Sequence, residues 1–390
     1  MHRFLHSICI SFLIVTATAA HADKTVKITT TGELVQAVIS SHPDIKAMTA
    51  RTDIYAAREK TASQVPNLEF DSRLLGNSSE GYTSSEYSLL HTFELGSKRK
   101  ARKNYTSDIT TTFQLSLALK KQEVARQIIL DLYRMRQVTM EISTLKENAE
   151  TYRSLVSRYS RLPRLNPELQ VSRDIYRQAR DDAMLRVKQL RGELLGLEKD
   201  ITTAAGTHNI DFAALYPNPV ERWPQLLHKS SLESPLLHLA GSKVTIQMGR
   251  KKLADSNAWP NLRVGPSIEH ATADGNTELN YGLSLSVTLP LYNQRQGQRE
   301  EAAAAINLAR VKKDSLEGTL KLARETALAR YENFIDGIDK RPFPYKNDDR
   351  HKRLHRLVRR GLVSPALTIE SHRQEYELLR SFHQNEMSAL

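Results

Sequence analysis

One uninterrupted stretch of helix-forming sequence constrains this chain most. Positions 98–160 contain neither proline nor glycine, and at about 1.5 Å per residue a continuous helix there would be about 90 Å long. Apolar residues within it recur at alternating spacings of three and four, which predicts a heptad seam. The members of this seam are Met135, Val138, Ile142, Leu145, Ala149, Tyr152, Val156 and Tyr159.

A second apolar run has the same rhythm. It consists of Ala183, Val187, Leu190, Leu194, Leu197 and Ile201. Two long helices with matching seams bury their apolar stripes by pairing along their length. Such lengths are rare in ordinary globular domains, where helices average about 10–14 residues. The sequence therefore predicts long coiled-coil hairpins.

Residues 279–289 break the helical pattern and alternate strictly instead. Large apolar residues take one face of the predicted strand and small polar residues take the other, which fits a barrel strand between lipid and water. On the lipid side we expect Leu279, Tyr281, Leu283, Leu285, Val287 and Leu289. On the lumen side we expect Ser284, Ser286 and Thr288.

Three more strands are predicted around this one. Residues 262–270 alternate before a hairpin turn at 273–276, and a weaker hairpin lies within residues 68–93 around a glycine-rich turn. The signal of a membrane barrel is weak for any single segment. A soluble hairpin packed on helices is the alternative for each hairpin taken alone.

Internal repetition favours one shared architecture for the two hairpins. Three segments recur 194, 196 and 198 residues later: PNL at 66–68 and 260–262, ELGSKR and PLYNQR at 94–99 and 290–295, and PELQV and PALTI at 167–171 and 365–369. A nearly constant offset indicates two copies of helix, hairpin, long helix, turn and helix. We place the first copy at residues 23–205, a linker at 206–219 and the second copy at 220–390. Pro342 and Pro344 interrupt the second copy.

The N-terminus predicts export. Arg3, an apolar core over residues 8–20 and a small-x-small site ending at Ala22 form a signal peptide at residues 1–22. An uncleaved N-terminal anchor is the alternative. The only cysteine, Cys9, lies in this segment, so the mature chain would have no thiol chemistry. No later run of 18 apolar residues exists, so any membrane role would fall to strands closed into a barrel.

The charge pattern and the motifs point away from nucleic acid and from catalysis. Without the signal segment the chain has 55 Lys and Arg against 44 Asp and Glu, a balance of +11, but these charges alternate along predicted helices. No nucleophile elbow, phosphate loop or zinc-protease motif is present. His351 and His355 have metal-ligand spacing, yet they sit among arginines and lysines that oppose cation binding. We expect no catalytic, cofactor or metal site. We expect the acidic residues to lie on solvated helix faces.

Four segments together resemble a known family. They are SHPDIK at 41–46, PNL at 66–68, LPLYNQRQG at 289–297 and RGLVSP at 360–365. Their order and spacing are similar to those of the outer-membrane efflux proteins, the family of TolC-like channels. The similarity is greatest to the outer-membrane component of cobalt–zinc–cadmium and copper efflux systems of the resistance–nodulation–division (RND) type. The third segment is the most specific of the four, and the similarity extends over residues 26–390.

The resemblance implies a mainly α fold with a small β part. Long helical hairpins would extend into the periplasm, and the two β-hairpins would form one third of a trimeric 12-stranded outer-membrane barrel. The implied partners are two further copies, outer-membrane lipid, a periplasmic adaptor and an inner-membrane RND-type pump. The adaptor would contact hairpin tips at 161–167 and 360–365, the second through Gly361, Leu362, Val363 and Ser364. The first tip lacks the expected glycine.

The implied function is passive conduction of metal ions or small toxic compounds from the periplasm to the outside, a heavy-metal-resistance role. Two alternatives remain at this stage. One is a soluble periplasmic coiled-coil scaffold or adaptor, whose hairpins never enter lipid. The other is the outer-membrane duct of a type I protein-secretion system.

Overall fold

The computed structural model describes residues 27–77, 82–164, 166–220, 223–224, 226, 234–273, 275–339, 352–353, 356–358, 360 and 362–390. Its helices are α1 Thr31–Ser41, α2 Pro43–Ser63, α3 Lys98–Ser160, α4 Pro167–Ala205, α5 Phe212–Leu215, α6 Pro235–Asn257, α7 Gln296–Asp339 and α8 Pro365–Ala389. Its strands are β1 Glu69–Asn77, β2 Tyr82–Glu94, β3 Asn261–Ala273 and β4 Asn276–Val287. The expected mainly α fold with a small antiparallel sheet is confirmed.

The long helix α3 has the bounds that the proline-free stretch predicts, with 63 residues in one element. Its seam is buried from Met135 to Val156, and Tyr159 is half-buried at its end. The seam of α4 meets it, because Val187 and Leu190 share a cluster with Val138, Ile142 and Leu145. The predicted pairing of the two heptad runs therefore forms the coiled-coil hairpin α3–α4.

A second core lies where the long helices meet α1 and α5. Leu34, Val38, Leu132 and Ile201 are almost fully buried there. Helix α1 begins with a capping box, in which Thr30 and Glu33 satisfy each other's backbone amides. This core joins the start of the described chain to the segment after α4, through a bridge between Ile28 and Ile210.

The four strands form one antiparallel sheet in the order β1-β2-β3-β4. The predicted turn at 273–276 is present: Ala273 pairs with Asn276, and Gly275 has a φ of 78° that suits a glycine. Strand β4 ends two residues earlier than predicted, and its ladder with β3 stops at the pair Leu262 and Val287. Thr288 and Leu289 thus lie beyond the strand.

The helices next to the sheet repeat the order of the strands. Helix α2 leads into β1, β2 leads into α3, α6 leads into β3, and β4 leads into α7. The packed helix pairs are α2 with α3, α3 with α6, and α6 with α7. The row of helices and the sheet therefore share the same two ends, with α2 and β1 at one end and α7 and β4 at the other.

The series of a helix, a β-hairpin, a long helix and a further helix occurs twice in the element order. One of the three sequence matches is not structurally equivalent, however. Residues 94–99 include the end of β2 and the start of α3, whereas residues 290–295 all lie in the longer connection between β4 and α7. The structural match at this junction pairs Ser97 with Arg295, 198 residues apart, which precede α3 and α7 and share a φ near 59°. The predicted boundaries of the two copies stay a prediction.

None of the described helices is long and apolar enough to cross a membrane. Several predictions fall on residues outside the described part of the chain: the signal peptide at 1–22, Pro342 and Pro344, the pair His351 and His355, and Gly361.

Candidate functional site

The two faces of the sheet differ in their charged residues. Residues that pair directly across an antiparallel ladder share a face, so the register assigns every strand residue to one side. All Asp, Glu and Arg residues of the four described strands fall on one face, which we call the polar face. The opposite face has no such residue, and we call it the apolar face.

The apolar face is exposed in the described chain. Eleven of its side chains are at least 43% accessible: Phe70, Leu74, Tyr87, Leu89, Phe93, Ile268, Leu279, Tyr281, Leu283, Leu285 and Val287. Tyr281 reaches 76% and Leu283 reaches 72%. The strands make their main contacts with each other, and no described helix packs extensively across the sheet. A contiguous apolar surface of this kind marks a site that another apolar phase or another chain covers.

Side chains of the polar face interact across the strands. Arg263 of β3 reaches across β2 to Glu69 of β1, with 3.1 Å between Nη1 and Oε2. Arg263 also donates to Ser286 of β4 at 2.9 Å, and Ser84 donates to Glu269 at 2.7 Å. Ser84 is only 4% exposed although no described helix covers it. This face is a hydrogen-bonded inner wall.

One glycine permits the close approach of β2 and β3. A Cβ on Gly265 would lie 1.8 Å from the backbone oxygen of Leu89, which no side chain tolerates. The ladder between β2 and β3 is interrupted at this point, where Pro266 has no amide hydrogen to donate. The close approach of the two strands therefore requires a glycine at this position.

Charged side chains fix the base of the sheet to the helices. Arg102 of α3 binds both carboxylate oxygens of Glu94 at 2.7 and 3.2 Å and donates to the carbonyl of Ala62 at the end of α2. Lys98 donates to Asn261 at the start of β3. Burial and the charge of Arg295 lower the pKa of Lys98, and the nearby Glu94 opposes this shift.

The turn before α3 uses a glycine for two reasons. Gly96 has a φ of 69°, and a Cβ there would lie 2.5 Å from the ring of Trp259. The indole thus packs directly on the backbone where β2 turns into α3. Together with the ion pair at Glu94, this contact joins the base of the sheet to the start of α3.

The structure places the predicted strand residues as follows. Leu279, Tyr281, Leu283, Leu285 and Val287 share the apolar face, and Ser284 and Ser286 share the polar face. Thr288 and Leu289 follow the strand. Their roles toward lipid or lumen stay predictions. Sequence reasoning missed the charged residues of the polar face, which alternation within β1 to β3 could have revealed.

Both hairpin tips end in the same kind of helix cap. Asn166 accepts from the amide of Leu169 at 2.8 Å, and Ser364 accepts from the amide of Leu367 at 3.3 Å; each is followed by proline at the first helical position. Leu362 is 68% exposed. Val363 packs against the apolar cluster at that end of the hairpins. The adaptor-contact role of residues 361–364 stays a prediction.

A buried ionic cluster joins α3 to α8, contrary to the expectation of solvated acidic residues. Arg136 donates to both oxygens of Glu386 at 2.6 and 2.5 Å, and Gln137 donates to the same carboxylate at 2.7 Å. Glu386 and Glu141 are each 1% exposed. Helical periodicity places these carboxylates on seams that face another helix, and that helix supplies their partners from about 250 residues away.

A second pair in this cluster shifts a carboxyl pKa. Glu141 lies 2.7 Å from Nδ1 of His383 and accepts from Arg134 at 3.0 Å. Burial alone would raise the pKa of Glu141, but the hydrogen bond from His383 and the positive charge of Arg134 outweigh it and leave this pKa below its usual value. The carboxylate is therefore held in its charged form between two helices.

Metal-ligand residues do not gather in the described part of the chain: no three His, Asp or Glu side chains there come together as a group that could hold an ion. Tyr152 meets His372 at 3.1 Å between its hydroxyl and Nδ1, and burial raises the pKa of this tyrosine. These groups form a packed contact between α3 and α8.

Comparison with known proteins identifies the fold. No family model matches the sequence and no curated protein matches it. Solved structures do match. The CmeC outer membrane channel of Campylobacter jejuni has a TM-score of 0.68 at 12% identity, over 92% of this chain and 83% of its own.

Two further structures have the same extent of similarity. The MtrE outer membrane channel of Neisseria gonorrhoeae has a TM-score of 0.67 at 12% identity, over 92% of this chain and 86% of its own. CusC, solved in a study of transmembrane channel formation, has a TM-score of 0.65 at 14% identity, over 92% and 90%. At such identities the similarity establishes a shared fold. The chain therefore shares the fold of these outer-membrane channel structures.

Proposed function

We propose that this chain is the protomer of an outer-membrane channel. The observation that carries the proposal is the placement of every Asp, Glu and Arg residue of the uncovered four-stranded sheet on one face, opposite a face rich in exposed large apolar side chains. Lipid suits the apolar face, where Tyr281 and Leu283 are most exposed, and water suits the face that holds every charged strand residue. The similarity of fold to the CmeC and MtrE channels supports this function.

The channel would be a homotrimer. Strands β1 and β4 each have one unpaired edge among the described strands, and an open edge in hydrocarbon costs several kcal/mol for every unsatisfied backbone group. Three copies joined edge to edge give a closed barrel of twelve strands. The same operation would place α7 of one copy beside α2 of the next, because the helix row has the same two ends as the sheet.

The helices would then form a duct that continues the barrel across the periplasm. We propose that the two hairpin tips contact a periplasmic adaptor, and that an inner-membrane pump of the RND type supplies the energy. The channel itself conducts passively. Metal ions or small toxic compounds are the proposed cargo, on the strength of the resemblance to metal-export components. The proposed role requires no catalysis and no cofactor.

The first test is fractionation of the native host. We expect detergent-dependent extraction from the outer membrane, and a trimeric mass by native mass spectrometry of the extract. A soluble monomer or dimer in the periplasmic fraction would contradict the channel and favour a coiled-coil scaffold.

Two substitutions at neighbouring positions sharpen this test. Leu283→Arg puts a charge on the apolar face, at a cost of about 2–4 kcal/mol per copy near the bilayer midplane. We expect it to abolish trimers in the outer membrane. Ser284→Arg is the matched control, because it adds the same charge one residue away on the polar face. Trimers should survive in the control, and equal loss in both variants would contradict the assignment of the faces.

A further inference from the structure

Helix α3 begins with a concentration of positive charge. Five of its first six residues are basic: Lys98, Arg99, Lys100, Arg102 and Lys103. Its first turn contains no acidic residue. The start of a helix is the positive end of the helix dipole, so acidic residues are favourable there and basic residues are not. Sequences break such a local rule mainly at functional positions, so the partners of these charges are informative.

Two of the five side chains are bound on the polar side of the junction. Lys98 donates to Asn261, and Arg102 binds Glu94 with 2.7 Å between Nη1 and Oε1. Asn261 and Glu94 pair directly in the ladder, and Glu94 lies on the polar face of the sheet. The side of α3 that carries Lys98 and Arg102 therefore continues the polar face.

Lys100 and Lys103 project to the other side of α3. A helix turns by about 100° per residue, so these two side chains lie about 140–160° away from Lys98 around the helix axis. That direction continues the apolar face of the sheet. Both residues are exposed, and within the described part of the chain no salt bridge involves either of them. Their two positive charges therefore adjoin the apolar face without compensation.

Exposed apolar and aromatic side chains surround the same junction. Phe93 and Leu95 are exposed at the end of β2 and directly after it. Trp259 and Tyr292, in the connections before β3 and after β4, are 61% and 96% exposed. Trp and Tyr are enriched where the hydrocarbon of a bilayer meets its headgroups. The junction thus fits the boundary of a membrane, and the two lysines lie within about 8 Å of it along α3.

The second junction from strand to helix lacks these lysines. Helices α3 and α7 begin 198 residues apart, and at this offset Lys100 corresponds to Gln298 and Lys103 to Glu301. Glu301 forms an ion pair with Arg250 of α6 at 2.6 Å. A strand can therefore turn into a long helix in this fold without the two lysines, which leaves their charge available for another contact.

We infer that Lys100 and Lys103 bind the phosphate groups of anionic phospholipids in the leaflet that faces the helices. This inference rests on the proposed function, since it requires the apolar face to lie in a bilayer. Lysine side chains beside an apolar segment extend along it and place their ammonium groups among the headgroups. Each lysine near an anionic membrane surface strengthens its attraction about fivefold. The occupant is a lipid because the charges are continuous with the apolar face.

Trp259 provides a local probe of lipid at this junction, because its ring packs on Gly96 just before α3. The chain has two tryptophans, and Trp223 packs against Tyr331 and Phe334 of α7. The substitution Trp223→Phe therefore leaves a single fluorescent reporter at the junction. The purified full-length trimer in mixed micelles is titrated with brominated phosphatidylglycerol or brominated phosphatidylcholine. These lipids have the same quenching chains and differ in net charge.

We expect phosphatidylglycerol to quench Trp259 with an apparent affinity at least tenfold above that of phosphatidylcholine at 0.1 M salt. At 1 M salt the Debye length falls from about 10 Å to about 3 Å, so the two affinities should come within about twofold of each other. Equal affinities at low salt overturn the inference, and they would assign the lysines to an acidic protein or to free phosphate.

Three double variants attribute the preference to these lysines. Lys100→Gln with Lys103→Gln should remove most of the preference for phosphatidylglycerol, and the two Arg substitutions at these positions should preserve it. The control Lys121→Gln with Lys146→Gln removes the same charge from α3 at least about 30 Å from its start, and it should leave the preference unaltered. Equal loss in the two Gln variants overturns the assignment.

Failure of the inference and failure of the proposed function give different results. A trimer that is extracted from the outer membrane and binds both lipids equally overturns the inference alone. A protein that fractionates as a soluble monomer, with no quenching of Trp259 by either lipid, contradicts the proposed function and the inference with it.

Discussion

The buried ion pair between Arg136 and Glu386 gives the sharpest prediction for the helical part. Glu386→Ala removes a carboxylate that accepts two hydrogen bonds from Arg136 and one from Gln137. Arg136 is 8% exposed, so its charge would stay buried with only the carbonyl of Pro217 as a hydrogen-bond acceptor, at 3.1 Å. Breaking a buried pair on one side costs about 3–5 kcal/mol.

The cost should appear as local opening of α8. This helix contacts α3 through the buried cluster, the contact between His372 and Tyr152, and the packing of Tyr376 against Val138 and its neighbours. A loss of about 4 kcal/mol raises the opening constant about a thousandfold, since each 1.4 kcal/mol is a factor of ten. Native-state hydrogen exchange of the α8 amides measures this directly, while the amides of α4 near Val187 should keep their protection.

Two controls separate the ion pair from general damage. Glu377→Ala removes a half-exposed carboxylate on the same helix, 3.8 Å from Arg186, and should cost less than about 1 kcal/mol. Arg136→Met combined with Glu386→Leu removes both charges and should recover most of the protection, because the desolvation cost disappears with them. Exchange in Glu386→Ala within tenfold of that in Glu377→Ala would refute the claim that this pair holds α8.

Two predictions concern single positions elsewhere. Because the pKa of Glu141 is lowered in the folded protein, its carboxylate stabilises the fold above the ordinary pKa of an unfolded glutamate, and this stabilisation is lost as the pH falls through the lower folded pKa. Hydrogen exchange of the α8 amides should therefore accelerate below about pH 4. The variant Glu141→Gln should remove much of that acid dependence. The variant Gly265→Ala puts a Cβ 1.8 Å from the backbone oxygen of Leu89, so β2 and β3 must separate. The yield of membrane-inserted trimers should therefore fall several-fold. The control Gly297→Ala has nothing within 4 Å of the added Cβ and should assemble normally.

The sequence predicted those features that depend on local pattern. Helix α3 has the bounds of the stretch without proline and glycine, because that stretch contains no residue that ends a helix. The seam from Met135 to Val156 is buried because heptad spacing keeps one stripe toward a partner helix. The turn around Gly275 follows from residues that accept a positive φ.

Features that depend on distant partners were out of reach. Alternation within each strand identifies two faces, but only the register shows that the charged residues of all four strands share the same face of the sheet. The sequence predicts that acidic helix residues such as Glu141 and Glu386 are solvated, and only the packing of α8 on α3 shows that these two are buried. The early end of β4 at Val287 coincides with the end of its ladder with β3, which the sequence of β4 alone does not show.

Closure of the sheet and closure of the helix row are coupled in the proposed assembly. Arg102 and Glu94 lock β2 to α3, and Trp259 packs on Gly96 between α6 and the same turn. The helices therefore cannot rotate freely beneath the strands. If lipid forces the edge of β4 to pair with β1 of the next copy, α7 is carried toward α2 of that copy as well. A scaffold that stayed in water would gain nothing from this arrangement, since its exposed apolar face would have no phase to cover it. The rigid junction thus links membrane insertion to the assembly of the duct.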